Sequence, residues 1–243
     1  VTNVQKIILR GGLVDMREMF QRQLEVLHTL LIEMGALCEQ VIERTYEVLI
    51  SGNRDAAGEI LQKDAAIDLK EREIESMCLK LLLQQQPVAG DLRQISAALK
   101  MITDMERIGD QAADIALDVP GWPEHRSLEE TVRALAGGES FSADDALRAK
   151  ATMRMVTESI DSFVKQDLRI ARKVIADDDI VDRLFLHVRD QLSHGMLDNL
   201  ATREQMMDLF MIAKYYERIG DHATNIAEWV EFSITGIHKS SVV

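Results

Sequence analysis

Glu106 and Asp110, four residues apart, recur as Glu217 and Asp221, and each pair frames the same pentapeptide, Glu-Arg-Ile-Gly-Asp, at 106–110 and 217–221. On a helix, carboxylates at this spacing leave from one face with Cβ atoms roughly 5–6 Å apart, and their like charges repel. Gly109 and Gly220 lie inside the motifs, and each weakens a helix by about 1 kcal/mol relative to Ala. Asp114 continues the first acidic row, and Asn225 stands at that place in the second. Arg107 and Arg218 lie one residue round the helix, so neither row is expected to carry its own balancing cation. Acidic pairs repeated beside a helix-weakening glycine imply that something cationic or something close-packed belongs there.

A second set of carboxylates repeats with them. Asp64 and Asp68 return 114 residues later as Asp178 and Asp182. If the chain reverses at Pro87, Asp68 and Glu106 are each 19 residues from the turn, and Asp64 and Asp110 are each 23. The same pairing in the second half centres on Asn199 and Leu200. Each antiparallel hairpin therefore brings four carboxylates level, roughly 28–35 Å from its turn at 1.5 Å rise per residue. Four such groups do not all stay ionised unaided: some protonate, basic side chains intervene, or cations bind. An all-oxygen set suits magnesium, manganese, calcium or ferric iron. Asp64, Asp68, Glu106 and Asp110, with Asp178, Asp182, Glu217 and Asp221, are the candidate metal ligands.

Other chemistries find little support. A ferritin-like di-iron oxidase needs two Glu-x-x-His motifs and two further glutamates. Only Glu25-Val26-Leu27-His28 has that form, and Leu27 puts it in a packing seam. His222 adjoins Asp221 but points about a third of a turn away, as expected of a surface or packing histidine. His125, His187, His194 and His238 have no partners at ligand spacing, and there is neither a nucleophile–histidine set nor a glycine-rich phosphate loop. No catalytic activity is expected.

The elements that hold these groups are helices. Leu24, Leu27, Leu31, Met34, Cys38, Val41, Thr45 and Val48 alternate steps of three and four, the mark of a helical packing seam. That first helix is expected from near Asp15 to Ser51-Gly52-Asn53. A second, densely charged helix is expected from about Asp55 to Gln86, and a third opens at Gly90-Asp91 and carries the first pentapeptide. Two apolar rows on the third helix, Leu92, Ile95, Leu99, Ile102 and Met101, Met105, Ile108, Ala112, Ile115, Val119, imply two packing neighbours. Pro120-Gly121-Trp122-Pro123 closes this unit, and a connector runs to about Ser142 with a short helix possible at Ser127–Ala136. Ala149, Met153, Val156, Ile160 and Phe163 open a second unit, in which Asp167 matches Asn53 and a last long helix ends near Gly236. From Glu106 to Val119, nine of fourteen residues recur 111 positions on, the signature of a duplicated unit. The expected architecture is all-α, two tandem pseudo-symmetric three-helix bundles at 14–119 and 143–237, with an extension at 1–13, a connector at 120–142 and a tail at 238–243.

Composition agrees. Three prolines, 5% aromatics and 47% hydrophobic residues favour helices with an ample core. A net charge of −13 disfavours nucleic acid, whose affinity comes from Lys and Arg, and suits cations or a basic partner surface. Cys38 and Cys78 are far apart in the sequence and outside any Cys-x-x-Cys, as expected of reduced thiols in a cytosolic protein. No apolar run reaches the roughly 18 residues of a membrane span. The apolar patch Ile7-Ile8-Leu9 is short of a signal peptide's core.

Gln85-Gln86-Pro87-Val88-Ala89-Gly90-Asp91-Leu92-Arg93, then Asp104-Met105-Glu106-Arg107-Ile108-Gly109-Asp110, resembles the PhoU family of phosphate transport system accessory proteins. The run from Glu217 to Glu228 is similar to that family's C-terminal signature, and the likeness extends from about Met16 to Gly236. The resemblance implies a homodimeric cytoplasmic regulator that touches the membrane only through partners. Those partners would be the ATPase subunit of the phosphate ABC transporter and a sensor histidine kinase, with the starvation response kept off while phosphate is plentiful. It also implies multinuclear iron or zinc clusters on paired acidic motifs, here the eight carboxylates already named. Tyr215 stands opposite Asp104 in the second unit, so the two sites are expected to differ in ligand count or occupancy. The connector is long for the family, and Met16 resembles its usual start. A carboxylate-bridged metal-storage bundle and an idle helical scaffold are the competing readings.

Overall fold

The computed structural model describes residues 3–51, 53, 56–84, 87, 89–118, 149–198 and 203–237. Its elements are α1 (Asn3–Ser51), α2 (Ala57–Gln84), α3 (Ala89–Asp118), α4 (Ala149–Lys165), α5 (Leu168–Asp198) and α6 (Arg203–Thr235). The connector with its possible short helix, the turn at Asn199–Leu200 and the tail at 238–243 lie outside the described residues. Among the described residues, no helix is long and apolar enough to cross a membrane.

Every residue of the α1 seam from Leu24 to Val48 is buried. Thr45, the polar member, returns its hydroxyl to the Val41 carbonyl at 2.7 Å, which removes the cost of an unpaired donor in the core. The helix begins at Asn3 rather than near Asp15, so residues 3–13 continue α1 as helix. Gly11 and Gly12 each cost helix stability of about 1 kcal/mol, but neither removes a backbone hydrogen bond as proline would. Asp167 caps α5, accepting the Arg169 amide at 2.8 Å, a hydrogen bond that holds its carboxyl below the usual range. Gly236 ends α6 at φ +77°, with its amide on the Phe232 carbonyl at 2.8 Å, the left-handed stop that glycine adopts without strain.

Helices α1, α2 and α3 pack together, as do α4, α5 and α6. The duplication reaches single hydrogen bonds. The Cys38 thiol donates to the Met105 carbonyl at 3.5 Å, and Thr152, 114 residues on, donates to the Tyr216 carbonyl, 111 residues on, at 3.4 Å. Both cysteines are buried and free, and burial pushes their thiols up, away from the reactive thiolate.

The most extensive contact between helices joins the halves, α3 against α6, with α1 against α4 beside it. Leu92, which opens the first apolar row of α3, is exposed, and α3 packs against three neighbours rather than two: α1, α2 and α6. Ile108, Ala112, Ile115 and Ala116 are buried, with Ile219, Ala223, Ile226 and Ala227 equally buried on α6. Where α1 crosses α4, a Cβ built on Gly35 would lie 2.8 Å from Ile160 Cδ1, so only glycine admits this approach. Gly35→Leu is expected to lose about 2 kcal/mol or more by overpacking. Combined with Ile160→Ala, it should cost less than the two losses added, a coupling measured by urea unfolding of the four-member cycle.

Candidate metal centre

Acidic residues of α2 and α3 meet because a buried contact draws the helices close. Ile67 is buried between Asp64 and Asp68, and it packs under Gly109, where an added Cβ would sit 3.1 Å from Ile67 Cδ1. The same Cβ would sit 2.7 Å from Asp64 Oδ1. At the first glycine α3 lies so near α2 that an added side chain would have to push Asp64 Oδ1 aside. Asp64 Oδ1 is buried and has no hydrogen-bond partner.

The electrostatics follow the packing. Burial, then the neighbouring charges of Asp68, Asp110 and Asp114, pushes the Asp64 carboxyl up to about 6. Burial and Asp110 raise Glu106, with Glu71 and Asp68 adding to the effect and Arg107 opposing it. Burial and Asp110 raise Asp114, against Arg218. Burial, Glu75 and Asp68 raise Glu71. Asp64 and Glu106 thus each feel the charges of Asp68 and Asp110, one field spanning the hairpin. Glu71 and Asp114 enlarge it. Glu71 follows Asp68 by three residues, a helical-neighbour spacing that could have revealed it.

Arg107 overturns the expectation that the rows lack a cation. Its Nη1 lies 3.0 Å from Asp110 Oδ2 and its Nε 3.5 Å from Glu106 Oε2. Residues three apart are helical neighbours, and the long guanidinium stem also bends back to the adjacent residue. Its side chain remains 55% exposed, and such surface pairs contribute only about 0–1 kcal/mol.

The second hairpin has a different interior. Val181 replaces Ile67, and a Cβ on Gly220 would stand 3.3 Å from Val181 Cγ1, a looser fit. Asp178 Oδ1 accepts the Thr224 hydroxyl at 3.1 Å, whereas Ala113 holds the corresponding place beside Asp64. Lys214, three residues before Glu217, pairs directly with it and lies 5.0 Å from the centroid of the Phe185 ring. Burial, then Glu217, Asp178 and Asp182, pushes Asp221 up to about 6 against the pull of Lys214. Asp182 and Asp221 keep exposed outer edges, so water screens their share of the repulsion.

The donor set fits a hard cation in its chemistry: all oxygen, mutually repelling, with one buried oxygen unpaired in the first half. Among the described residues, no three Asp, Glu, His or Cys side chains stand close enough together to enclose an ion as they are. Side-chain rotation would have to close the set. The two histidines with described side chains, His28 and His222, lie elsewhere. His28 packs edge-on against Phe163 with ring centroids 5.3 Å apart. His222 joins the halves rather than facing the hairpin: its Nδ1 lies 2.9 Å from Asp104 Oδ1, which also accepts from Asn225 Nδ2 at 3.0 Å. Arg218 reaches across the same junction to Gln111 Oε1 at 3.4 Å. Asp104 thereby gains a role that pairing it with Tyr215 by duplication did not suggest.

Duplicated three-helix units, packed helix against helix through α3 and α6, with an acidic row in each α2–α3 and α5–α6 hairpin, define a class of all-α tandem-bundle proteins. The PhoU domain family model matches residues 31–119 and 147–230, and the chain belongs to the PhoU family. It is 33% identical over 224 residues to a phosphate-specific transport system accessory protein PhoU homolog of Clostridium acetobutylicum, covering 90% of this chain and 96% of that one. The homolog of Zymomonas mobilis is 35% identical over 217 residues, covering 89% and 87%. The crystal structure of PhoU from Pseudomonas aeruginosa superposes with a TM-score of 0.78 at 29% identity, covering 90% of this chain and all of that one.

Because the folded chain raises the Asp64 pKa from 3.8 to about 6, it binds more protons than the unfolded chain between those values. Its stability therefore falls as pH rises through that window, and the full cost is present above it. In chelator-treated protein, Asp64→Asn is expected to gain about 1–2 kcal/mol at pH 7.5, after allowance for solvent screening. The gain should vanish near pH 4. Urea unfolding across the range checks this, and a gain independent of pH would contradict it.

Proposed function

We propose that this chain regulates phosphate uptake, holding the phosphate-starvation response off while phosphate is plentiful. The observation that carries this reading is the family match over both halves, together with relatives described as phosphate-specific transport system accessory proteins. On this reading the protein is a cytoplasmic adaptor and not an enzyme. It docks on the ATPase subunit of the phosphate ABC transporter and on a sensor histidine kinase, and it works as a homodimer. The charge of −13 favours a partner surface rich in Lys and Arg. Deleting the gene should derepress phosphate-starvation genes in phosphate-rich medium, as reporter expression would show; unchanged expression rejects the adaptor role.

The carboxylates supply its metal centres: Asp64, Asp68, Glu106 and Asp110 in the first half, Asp178, Asp182, Glu217 and Asp221 in the second. Support comes from the shared field of each row and from the unpaired Asp64 Oδ1. Iron, zinc, magnesium or manganese, singly or as a multinuclear cluster, would supply positive charge that cancels the repulsion between rows. The carboxylates themselves would then tie α2 to α3 and α5 to α6, where ionised neighbours now push these helices apart. Glu106→Ala with Asp110→Ala should abolish metal binding in the first half only, and an unchanged metal-to-protein ratio by elemental analysis would refute that assignment.

A further inference from the structure

We propose that Lys214 is a tethered counter-ion for the second acidic row, so that divalent cations load the first half in preference to the second. This rests on reading the carboxylates as cation ligands, and adds to it a residue that decides between the two centres.

Three differences at positions related by the duplication carry the inference. First, Lys214 pairs with Glu217, whereas 111 residues earlier stands Thr103, whose hydroxyl turns to its own helix at Leu99 O, 3.4 Å away. The ammonium is held: its side chain is 35% exposed, that of Glu217 only 12%, and the Phe185 ring lies 5.0 Å from Nζ. A cation over an aromatic face is attracted by the ring's quadrupole, so Lys214 has two reasons to stay. Second, the Asp178 oxygen that faces α6 is already satisfied by Thr224 at 3.1 Å, while its counterpart Asp64 Oδ1, beside Ala113, is buried and unpaired. Third, the cation of the first row, Arg107, grips from the outer rim with most of its side chain in water. Such a pair is readily exchanged.

An entering cation must therefore displace a held ammonium from Glu217 and a hydroxyl from Asp178 in the second half. In the first it meets an oxygen with no partner and a loosely attached guanidinium. Charge removed at Lys214 should then be recovered as affinity in the second half.

The test uses the full chain and manganese(II), with free aqueous ion followed by electron paramagnetic resonance. Asp64→Asn with Asp68→Asn silences the first half, and circular dichroism checks that each variant stays helical. The silenced chain should bind manganese at least about tenfold more weakly than the intact chain, and adding Lys214→Met should tighten it again by about tenfold. Met keeps an apolar stem against Phe185, and Lys214→Gln serves as a second neutral variant should Met disturb the fold. The conservative Lys214→Arg should leave binding weak, because it keeps the charge. If the neutral variants leave second-half binding unchanged while the intact chain binds manganese, the counter-ion role is overturned and the cation reading stands. If Lys214→Arg tightens binding as much as Met, the effect belongs to side-chain shape and the inference also fails. If the intact chain binds no manganese, both fall together.

Discussion

Close approach between antiparallel helices, at points where each also carries negative charge, is the constraint on which the rest of this molecule depends. At Gly109 the backbone of α3 comes so near α2 that Asp64 Oδ1 occupies the space a methyl group would need. Apolar packing drives that approach: Ile67 on α2 and Ile108 on α3 are both fully buried, and burying side chains of that size contributes about 1.5–3 kcal/mol each. The carboxylates flanking them are carried inward as a consequence. Hydrophobic contact thus holds the repulsive groups together, and the raised carboxyls of Asp64, Glu71, Glu106 and Asp114 are the electrostatic strain that results.

The same constraint appears twice but with different remedies. In the first half an exposed arginine spans Glu106 and Asp110, and one buried oxygen is left without a partner. In the second, a lysine and a threonine have entered the hairpin, and the Gly220 contact is looser. Between the two rows lies the α3–α6 junction. Its buried alanines and isoleucines give close packing, and Asp104, His222, Asn225, Gln111 and Arg218 give it polar contacts. Any change in helix spacing at one row therefore bears on the helix that forms the wall of the other half.

Much of the fold was legible because helical periodicity is local. The α1 seam from Leu24 to Val48 is buried in full, since steps of three and four put those residues on one stripe of any regular helix. The hairpin levels were legible for a similar reason: a constant rise per residue makes equal distances from a turn equal heights. Arg107 lay within helical-neighbour spacing of Asp110 and could have been read as its partner. Lys214 beside Glu217 carried the same local signal. What lacked such a signal was the start of α1, where two glycines slow a helix without ending it, and the three-sided packing of α3, because apolar rows name a face but not the helix that covers it.

Residue types and spacings by themselves determined the all-α class, the duplication, the family and the choice of the eight candidate carboxylates. Those properties follow from geometry that each helix carries alone. Only the tertiary structure decided that α3 meets α6 more extensively than any helix of its own half, that Asp64 is left unpaired while Asp178 is not, and that His222 bonds across the junction to Asp104. The physical reason is that partners 46 to 118 residues apart are chosen by how whole helices rotate and approach. A rotation too small to disturb any one helix's own pattern settles which side chains meet.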